Sequence, residues 1–346
     1  MNEIKELDDM PSDIYKRPGI SVKLSALHPH YELSNEEDVI SRLLPRLKEI
    51  VTAAMSNSIP VTIDAEETRR LDLSLKLFTK LVQENEFRGF DGIGIAVQAY
   101  HTHGIKIIDY LISLANQCNK RVPIRLVKGA YWDTEIKNAQ VNGTKQYPIF
   151  TKKHHTDISY LACAYRMLED NDFIYPQFAT HNALTIAEIQ EAAGDTKVEF
   201  QLLYGMGKGI YDQIVAENRC RIYAPVGQYD ELLPYLIRRL IENAANTSFI
   251  KQVANYEIKT DDLVADPLEK LKGDEKEQKI PLPADIYGQE RINSSGYDLG
   301  NRGHIELIKT SLQAFAKKTW QAAPIVNGNR KSGRQENVTS PFDVRK

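Results

Sequence analysis

The stretch from Ile124 to Asp133, IRLVKGAYWD, joins an apolar run to a polar turn. Its first half is apolar around Arg125, which predicts a β-strand. Gly129 ends that strand, with Lys128 and two aromatic side chains beside it. A cation and aromatic rings at a strand end suit a planar, anionic ligand. A buried strand with a satisfied arginine and ordinary core aromatics explains the same residues, so this stretch alone leaves both interpretations open.

Units of a strand followed by a helix extend along the chain on both sides of this stretch. Short apolar runs bounded by turn residues predict strands at 20–27, 60–65, 92–99, 123–128, 175–180, 198–204 and 221–226. Apolar residues at helical spacing predict helices at 36–55, 68–83, 152–168, 184–193, 210–216, 231–245 and 304–317, and one that ends near 115. Pro45 is expected to kink or interrupt the first helix. Residues 133–150 are predicted to form a loop.

This alternation predicts the fold class. Near-continuous apolar strands separated by helices indicate an α/β protein with a parallel sheet covered by helices. The seven units are one short of the eight that close a (β/α)8 TIM-type barrel. An open doubly wound sheet is the alternative, but the first strand lacks the glycine fingerprint usual in that fold. A TIM-type barrel with one unit missing or unrecognised is therefore the preferred prediction.

Composition excludes several classes of protein. The chain has 346 residues, 42% hydrophobic and 26% charged, with a net charge of −3, so no overall field attracts nucleic acid. Its three cysteines (118, 163 and 220) are widely spaced, which favours a reducing compartment over disulfides or zinc. The polar start is not a signal peptide, and no apolar run approaches the roughly 20 residues that span a bilayer. We expect a cytoplasmic protein that binds neither metal nor nucleic acid.

Polar side chains collect where the predicted strands end, and in a barrel these ends form the active-site face. They are Asp64, Glu66, Gln98, Arg125, Lys128, Tyr131, Trp132, Thr180, His181, Asn182, Gln201 and Tyr223. Six successive ends with hydrogen-bonding groups favour a large polar ligand. In the last helix of the barrel region, Tyr235, Arg238, Arg239 and Glu242 share one face. That face is either a solvated charged stripe or, through its adjacent arginines, a carboxylate site.

Seven segments together identify a family resemblance. They are SVKLSALHPHYE (21–32), IDAEE (63–67), IRLVKGAYWD (124–133), PQFATHNA (176–183), FQLLYGMG (200–207), RIYAPVG (221–227) and YLIRRLIENAANTSF (235–249). In this order they resemble the proline dehydrogenase domain of bacterial bifunctional proline utilization A (PutA) proteins. The resemblance implies a (β/α)8 barrel that binds FAD. It also implies that the first strand of the family barrel is missing here, since nothing before Gly19 matches it.

The resemblance assigns domains as well. Residues 1–18 are expected to be an N-terminal tail, 19–250 the proline dehydrogenase barrel and 251–322 a linker region. Residues 323–346 look like the truncated start of the family's aldehyde dehydrogenase domain, without its catalytic cysteine or nucleotide site. The chain therefore looks like an internal fragment of a longer polypeptide.

The resemblance implies a role for each site residue. Asp64, Tyr131, Arg238 and Arg239 would be the catalytic set; proline would contact Lys23, Tyr223, Tyr235, Arg238 and Arg239. FAD would contact Gln98, Arg125, Val127, Lys128, Gly129, Ala130, Trp132, Thr180, His181, Asn182, Gln201 and Glu242.

The implied reaction oxidises L-proline to 1-pyrroline-5-carboxylate. Hydride would pass to flavin N5 and electrons on to a membrane quinone, with peripheral membrane contact of the parent protein. The alternatives are another flavin-binding TIM-barrel reductase, or a fragment that binds flavin without turnover.

Overall fold

The computed structural model describes residues 10–244, 264–271, 280–318, 320–334 and 336–339. The chain divides into two compact units, one up to Arg302 and one from Gly303 onward. The first contains a parallel sheet whose strands lie side by side in chain order. Its strands are β1 (Ile20–Val22), β2 (Val61–Ile63), β3 (Ile93–Gln98), β4 (Val122–Val127), β5 (Ile174–Ala179), β6 (Glu199–Leu203) and β7 (Arg219–Tyr223).

Helices connect these strands, as the sequence predicts. They are α1 (Glu36–Ser56), α2 (Leu71–Val82), α3 (Gly104–Cys118), α4 (Trp132–Asn142), α5 (Lys153–Glu169), α6 (Ala183–Ala193), α7 (Lys208–Ile214) and α8 (Tyr229–Ala244). Two more follow, α9 (Pro267–Leu271) and α10 (Arg302–Ala316). Within the described residues, no helix has the length and apolar character to cross a membrane.

Side chains on strands that are not neighbours touch each other, which shows that the sheet is curled. Arg125 on β4 donates from Nη2 to Ser21 Oγ on β1 at 2.7 Å. Tyr223 at the end of β7 donates its hydroxyl to Asp64 Oδ2, just after β2, at 3.0 Å. Neighbouring strands are about 4.8 Å apart, so a flat sheet would hold both pairs beyond reach. The predicted α/β fold class of the TIM-barrel type is confirmed, with a parallel sheet of seven strands among the described residues.

Alternation along each strand separates an apolar outer face from a polar interior. Phe178 and Phe200 are register partners on β5 and β6 and are completely buried on the face toward the helices. Their neighbours Gln177, Glu199 and Gln201 point into the curl and are also buried. The helices add apolar faces at helical spacing, such as Leu73, Leu77, Phe78 and Leu81 on α2. The interior of the sheet is therefore the polar part of this core.

The prediction of a loop at 133–150 is wrong for its first half, where helix α4 forms. The helix buries Ile136 and Ala139 and ends at Gly143, whose φ is +56°. A Cβ on Gly143 would lie 1.9 Å from the main-chain oxygen of Ser294, so glycine is required there. Most of α4 is polar, which explains why its helical period is hard to recognise.

The first strand is shorter than predicted. It ends at Val22, and residues 24–26 form a 3₁₀ turn. The main-chain N–H of Ser25 donates to Glu66 Oε1 at 3.0 Å, so it bonds a side chain in place of a neighbouring strand. Lys23 therefore lies just beyond the strand, at its carboxyl end.

A short hairpin forms near the end of the chain. Strands β8 (Ile325–Val326) and β9 (Asn329–Arg330) pair antiparallel in the second compact unit. The turn between them is Asn327-Gly328, and both residues have positive φ, at 53° and 76°. Asn-Gly is the pair that such a tight turn favours.

Pro45 does not interrupt α1, which is continuous from Glu36 to Ser56. Proline removes the hydrogen bond to the carbonyl of residue 41. Both Ser41 and Pro45 are exposed, so water can bond the freed carbonyl. The predicted break is therefore wrong because the proline lies on the solvent face.

We expect Pro45→Ala to raise the free energy of unfolding by roughly 1–3 kcal/mol, because alanine restores the missing main-chain donor. The greater freedom of the unfolded chain offsets part of this gain. Urea denaturation measures it, and Pro45→Gly is the matched control, expected about 1 kcal/mol below Pro45→Ala. A Pro45→Ala protein no more stable than the parent would contradict this interpretation.

Candidate active site

A buried ion pair lies where the carboxyl ends of the strands converge. Asp64 Oδ1 accepts from Arg125 Nη1 at 2.7 Å, and Asp64 Oδ2 accepts from the Tyr223 hydroxyl at 3.0 Å. Lys23 Nζ lies 3.7 Å from Asp64 Oδ2. Groups from β1, β2, β4 and β7 thus meet at one carboxylate, as expected for the active-site face of a barrel.

Arg125 has an acceptor for each of its nitrogens. Nε donates to Gln201 Oε1 and Nη2 to Ser21 Oγ, both at 2.7 Å, in addition to the Nη1 bond to Asp64. The guanidinium carbon lies 5.1 Å from the centre of the Tyr223 ring, in a cation–π arrangement. An arginine stays charged at any physiological pH. The site therefore holds a positive charge fixed from three directions.

Tyr223 is held as a neutral hydrogen-bond donor. Burial raises the pKa of its phenol above the ordinary value, and the nearby Asp64 carboxylate raises it further. Across the site, Lys23 Nζ is 3.4 Å from the hydroxyl of Tyr131. The Lys23 side chain is 40% exposed, so this second cation is at the open rim.

The turn after β4 is built around Gly129. Its φ is +152°, and a Cβ there would lie 2.4 Å from the Tyr100 ring. Gln98 fixes the next residue: its Oε1 accepts from the Ala130 N–H at 3.0 Å while its Nε2 donates to the Glu66 carbonyl at 2.9 Å. Gln98, predicted as a cofactor contact, thus shapes the loop that carries several of the other predicted contacts.

Lys128 pairs with Asp157 on α5. Lys153 Nζ also lies 3.2 Å from Asp157 Oδ2. Burial lowers the pKa of the Lys128 ammonium, although Asp157 opposes that effect. The two lysine charges outweigh burial at Asp157 and lower the pKa of its carboxyl. Sequence reasoning missed Asp157, which gives this cationic corner its counter-charge.

Two further predicted cofactor contacts lie on the same loop region. Trp132 begins α4, is half-exposed and donates from Nε1 to the Phe150 carbonyl at 3.0 Å. Val127 is partly buried at the end of β4. Together with Gly129 and Ala130, they form the rim between β4 and α4.

The ends of β5 and β6 carry a separate group of predicted contacts. Thr180 Oγ1 accepts from the Asn182 N–H at 3.2 Å, and Asn182 Oδ1 caps α6 through the Thr185 N–H, also at 3.2 Å. His181 Nε2 accepts from the Leu203 N–H at 3.1 Å. Burial lowers the pKa of His181 to about 4, helped by the positive charge of Arg239. His181 is therefore a neutral imidazole whose Nε2 is an acceptor.

Helix α8 brings part of the predicted carboxylate site. The guanidinium carbon of Arg239 lies 5.2 Å from the ring centre of Tyr235. The effect of Arg239 on His181 indicates that its charge is near the end of β5. The side chains of Arg238 and Glu242 lie outside the described part of the structure, so their predicted roles stay predictions.

The structure thus brings Asp64, Arg125, Lys23, Tyr131 and Tyr223 together, with Gln201 behind Arg125. Sequence reasoning missed two residues that hold this group from within: Ser21, which accepts from Arg125, and Glu199, which accepts from Gln201. Alternation on β1 and β6 indicates that Ser21 and Glu199 face inward, but their partners depend on the curl of the sheet. No cluster of three or more metal-ligating side chains is found in the described ranges.

Comparison with known proteins gives consistent matches. A family model described as "Proline dehydrogenase" matches residues 1–252. The bifunctional protein PutA of Escherichia coli K12 is 47% identical over 349 residues, covering 95% of this chain and 26% of that protein. The proline dehydrogenase of Deinococcus radiodurans is 28% identical, covering 68% of this chain and 69% of that protein.

Solved structures agree with these sequence matches. A mutant of PutA from Bradyrhizobium japonicum superposes with a TM-score of 0.85 at 42% identity, covering 90% of this chain and 33% of the other. PutA from Bdellovibrio bacteriovorus, inactivated by N-propargylglycine, gives a TM-score of 0.82 at 28% identity, covering 96% and 36%. The chain spans about a quarter of the length of the curated PutA relatives it matches.

We expect the neutral His181 to make stability depend on pH. Its folded pKa of about 4 is below its ordinary value of 6.5, so between these values the unfolded chain binds the extra proton and stability falls as pH falls. Going from pH 7.5 to 5 should lose about 2 kcal/mol through this group, at about 1.4 kcal/mol for each pH unit below 6.5.

Urea denaturation at the two pH values measures this loss. His181→Gln is the matched variant, because its amide oxygen can accept from Leu203 N–H but does not titrate. Between pH 7.5 and 5, the loss of stability in His181→Gln should be about 2 kcal/mol smaller than the loss in the parent. An equal fall in both proteins would show that His181 is not the group responsible.

Proposed function

The chain belongs to the proline dehydrogenase family, and from that premise we propose that it oxidises L-proline to 1-pyrroline-5-carboxylate with FAD as the hydride acceptor. The observation that carries the proposal is the convergence of Asp64, Arg125, Lys23 and Tyr223 at the carboxyl ends of four strands. This arrangement offers fixed cations, a buried carboxylate and aromatic walls. A small amino acid beside a planar cofactor needs all three.

The substrate is proposed to bind between the rim and helix α8. Arg238 and Arg239 would hold the proline carboxylate through charge-assisted hydrogen bonds, and the half-exposed Lys23 would add a third cation. Tyr223 and Tyr235 would wall the pyrrolidine ring, since both rings lie beside a guanidinium. Tyr131, in contact with Lys23, would complete the wall on the β4 side.

The donors around the site fit FAD. Arg125 supplies a fixed charge for the ring system, and Lys128 with Lys153 forms a cationic corner suited to a pyrophosphate. We propose that FAD is held by Gln98, Arg125, Val127, Lys128, Gly129, Ala130, Trp132, Thr180, His181, Asn182, Gln201 and Glu242. When bound, FAD supplies the hydride acceptor, flavin N5.

The reaction proposed removes a hydride from the ring carbon beside nitrogen and a proton from nitrogen. The amine must be neutral when the hydride leaves, so the rate should rise with pH until the amine is free. Arg125 stabilises negative charge that develops beside it, because its position is fixed before the reaction begins. Asp64 keeps Arg125 and Lys23 in place, and the neutral Tyr223 keeps its hydroxyl on Asp64.

Several further parts of the proposal concern a longer parent protein. Electrons are proposed to pass to a membrane quinone through peripheral contact of a cytoplasmic parent. Residues 19–250 would be its proline dehydrogenase barrel, 251–322 a linker and 323–346 the start of an aldehyde dehydrogenase domain. The competing functions are another flavin-binding barrel reductase, or flavin binding without turnover.

The FAD-loaded chain should lose its visible flavin absorption when L-proline is added without oxygen, because hydride transfer reduces the flavin. An absorption spectrum before and after addition measures this, with D-proline as the matched control. Flavin that stays oxidised with L-proline would contradict the proposed activity and leave flavin binding alone.

Arg239→Lys should weaken binding of a non-oxidisable carboxylate analogue of proline by about 1–3 kcal/mol, because a lysine cannot form the two-pronged contact of a guanidinium. Calorimetric titration measures the change. Arg88→Lys is the matched control, since Arg88 is exposed in a turn before β3, at the opposite end of the strands. Equal affinity of parent and Arg239→Lys proteins would argue against the carboxylate role.

A further inference from the structure

A second buried charge lies inside the barrel, one layer below Arg125. Glu199 on β6 is 2% exposed, and its carboxylate is surrounded by donors. Oε1 accepts from Gln201 Nε2 at 2.6 Å, from Arg221 Nε at 2.8 Å and from Gln177 Nε2 at 3.0 Å. A buried carboxylate with this many donors is held in one position.

Gln201 links Glu199 to Arg125, and chemistry allows its amide only one orientation. Its Oε1 accepts from Arg125 Nε at 2.7 Å, while its Nε2 donates to Glu199. A guanidinium has no acceptor, and an ionised carboxylate has no donor. The amide must therefore present oxygen to the arginine and nitrogen to the glutamate.

Glu199 is itself anchored from the amino ends of the strands. Arg221 on β7 bonds it from both Nε and Nη2, at 2.8 and 2.9 Å. The remaining Arg221 donors reach the carbonyls of Arg17 and Tyr15, at 2.7 and 2.8 Å. A continuous series of hydrogen bonds thus runs from the segment before β1 up to Arg125 and Asp64.

We propose that Glu199 is a positioning residue for Arg125, acting through the amide of Gln201. It fixes the acceptor that holds Arg125 Nε, and so fixes the guanidinium that Asp64 shares. The inference rests on the proposed function for its chemical consequence, which is a cation of constant position beside the flavin. Glu199 touches neither substrate nor cofactor in this proposal.

The consequence of neutralising Glu199 follows from donor and acceptor chemistry. In Glu199→Gln the new amide can donate, so Gln201 is free to rotate its own amide. A rotated Gln201 would present N–H groups to Arg125 Nε–H, and two donors cannot bond. Exchanging the two residues, Glu199→Gln with Gln201→Glu, restores an acceptor for Arg125 and keeps one negative charge in this series of hydrogen bonds.

Hydrogen exchange of the Arg125 Nε–H, followed by NMR in the ¹⁵N-arginine-labelled 346-residue chain, tests the proposal without any cofactor. The resonance is assigned as the one lost in Arg125→Lys. Glu199→Gln should speed its exchange at least tenfold, and the exchanged pair should return it to within threefold of the parent. The control is Asp13→Asn, which breaks the ion pair of Asp13 with Arg219 at the same end of the barrel but does not touch Gln201.

If the Arg125 Nε–H exchanges as slowly in Glu199→Gln as in the parent, the proposal is overturned. If Glu199→Gln does not fold, the exchanged pair carries the test: a folded protein with slow exchange supports the proposal, and one that is unfolded or fast overturns it. The midpoint potential of bound FAD gives a second readout, expected more negative in Glu199→Gln and unchanged in Asp13→Asn. Failure of the parent chain to bind FAD would contradict the proposed function and leave the exchange comparison intact.

Discussion

The ion pair between Arg125 and Asp64 is the constraint on which the rest of this structure depends. Both side chains are at most 10% exposed, and a buried charge is tolerated only when its partners satisfy it. Meeting that requirement uses donors and acceptors from β1, β4, β6 and β7. The sheet has to curl for these groups to reach each other, so fold and site depend on the same contacts.

The interior of the curl differs from the layers of branched apolar residues usual in TIM-type barrels. It contains Arg125 and Asp64 above, and Glu199 with Arg221 below, joined by Gln201. The apolar core lies instead between the sheet and its helices, where Phe178 and Phe200 are buried. Packing outside the sheet supplies stability, while the interior is free to orient charge at the strand ends.

Periodicity and resemblance together predict most of this architecture from sequence. Alternating strands and helices, the fold class and the set of polar strand ends all come from local pattern. The partners of those residues do not. Ser21 reaches Arg125 across the curl, Asp157 reaches Lys128 from helix α5, and Gln201 joins Arg125 to Glu199. Polar composition hides α4, and the Glu66 side chain ends β1 early by bonding Ser25. Such contacts join segments that are far apart in the chain, so local sequence pattern does not reveal them.

The coupling free energy between Arg125 and Asp64 tests most directly whether this ion pair is the central constraint. Urea unfolding of the parent, Asp64→Asn, Arg125→Met and the double variant provides it. Each single variant should lose about 3–5 kcal/mol, because it leaves one buried charge without its partner. The double variant should lose clearly less than the sum of the two. Losses that add independently would contradict the account.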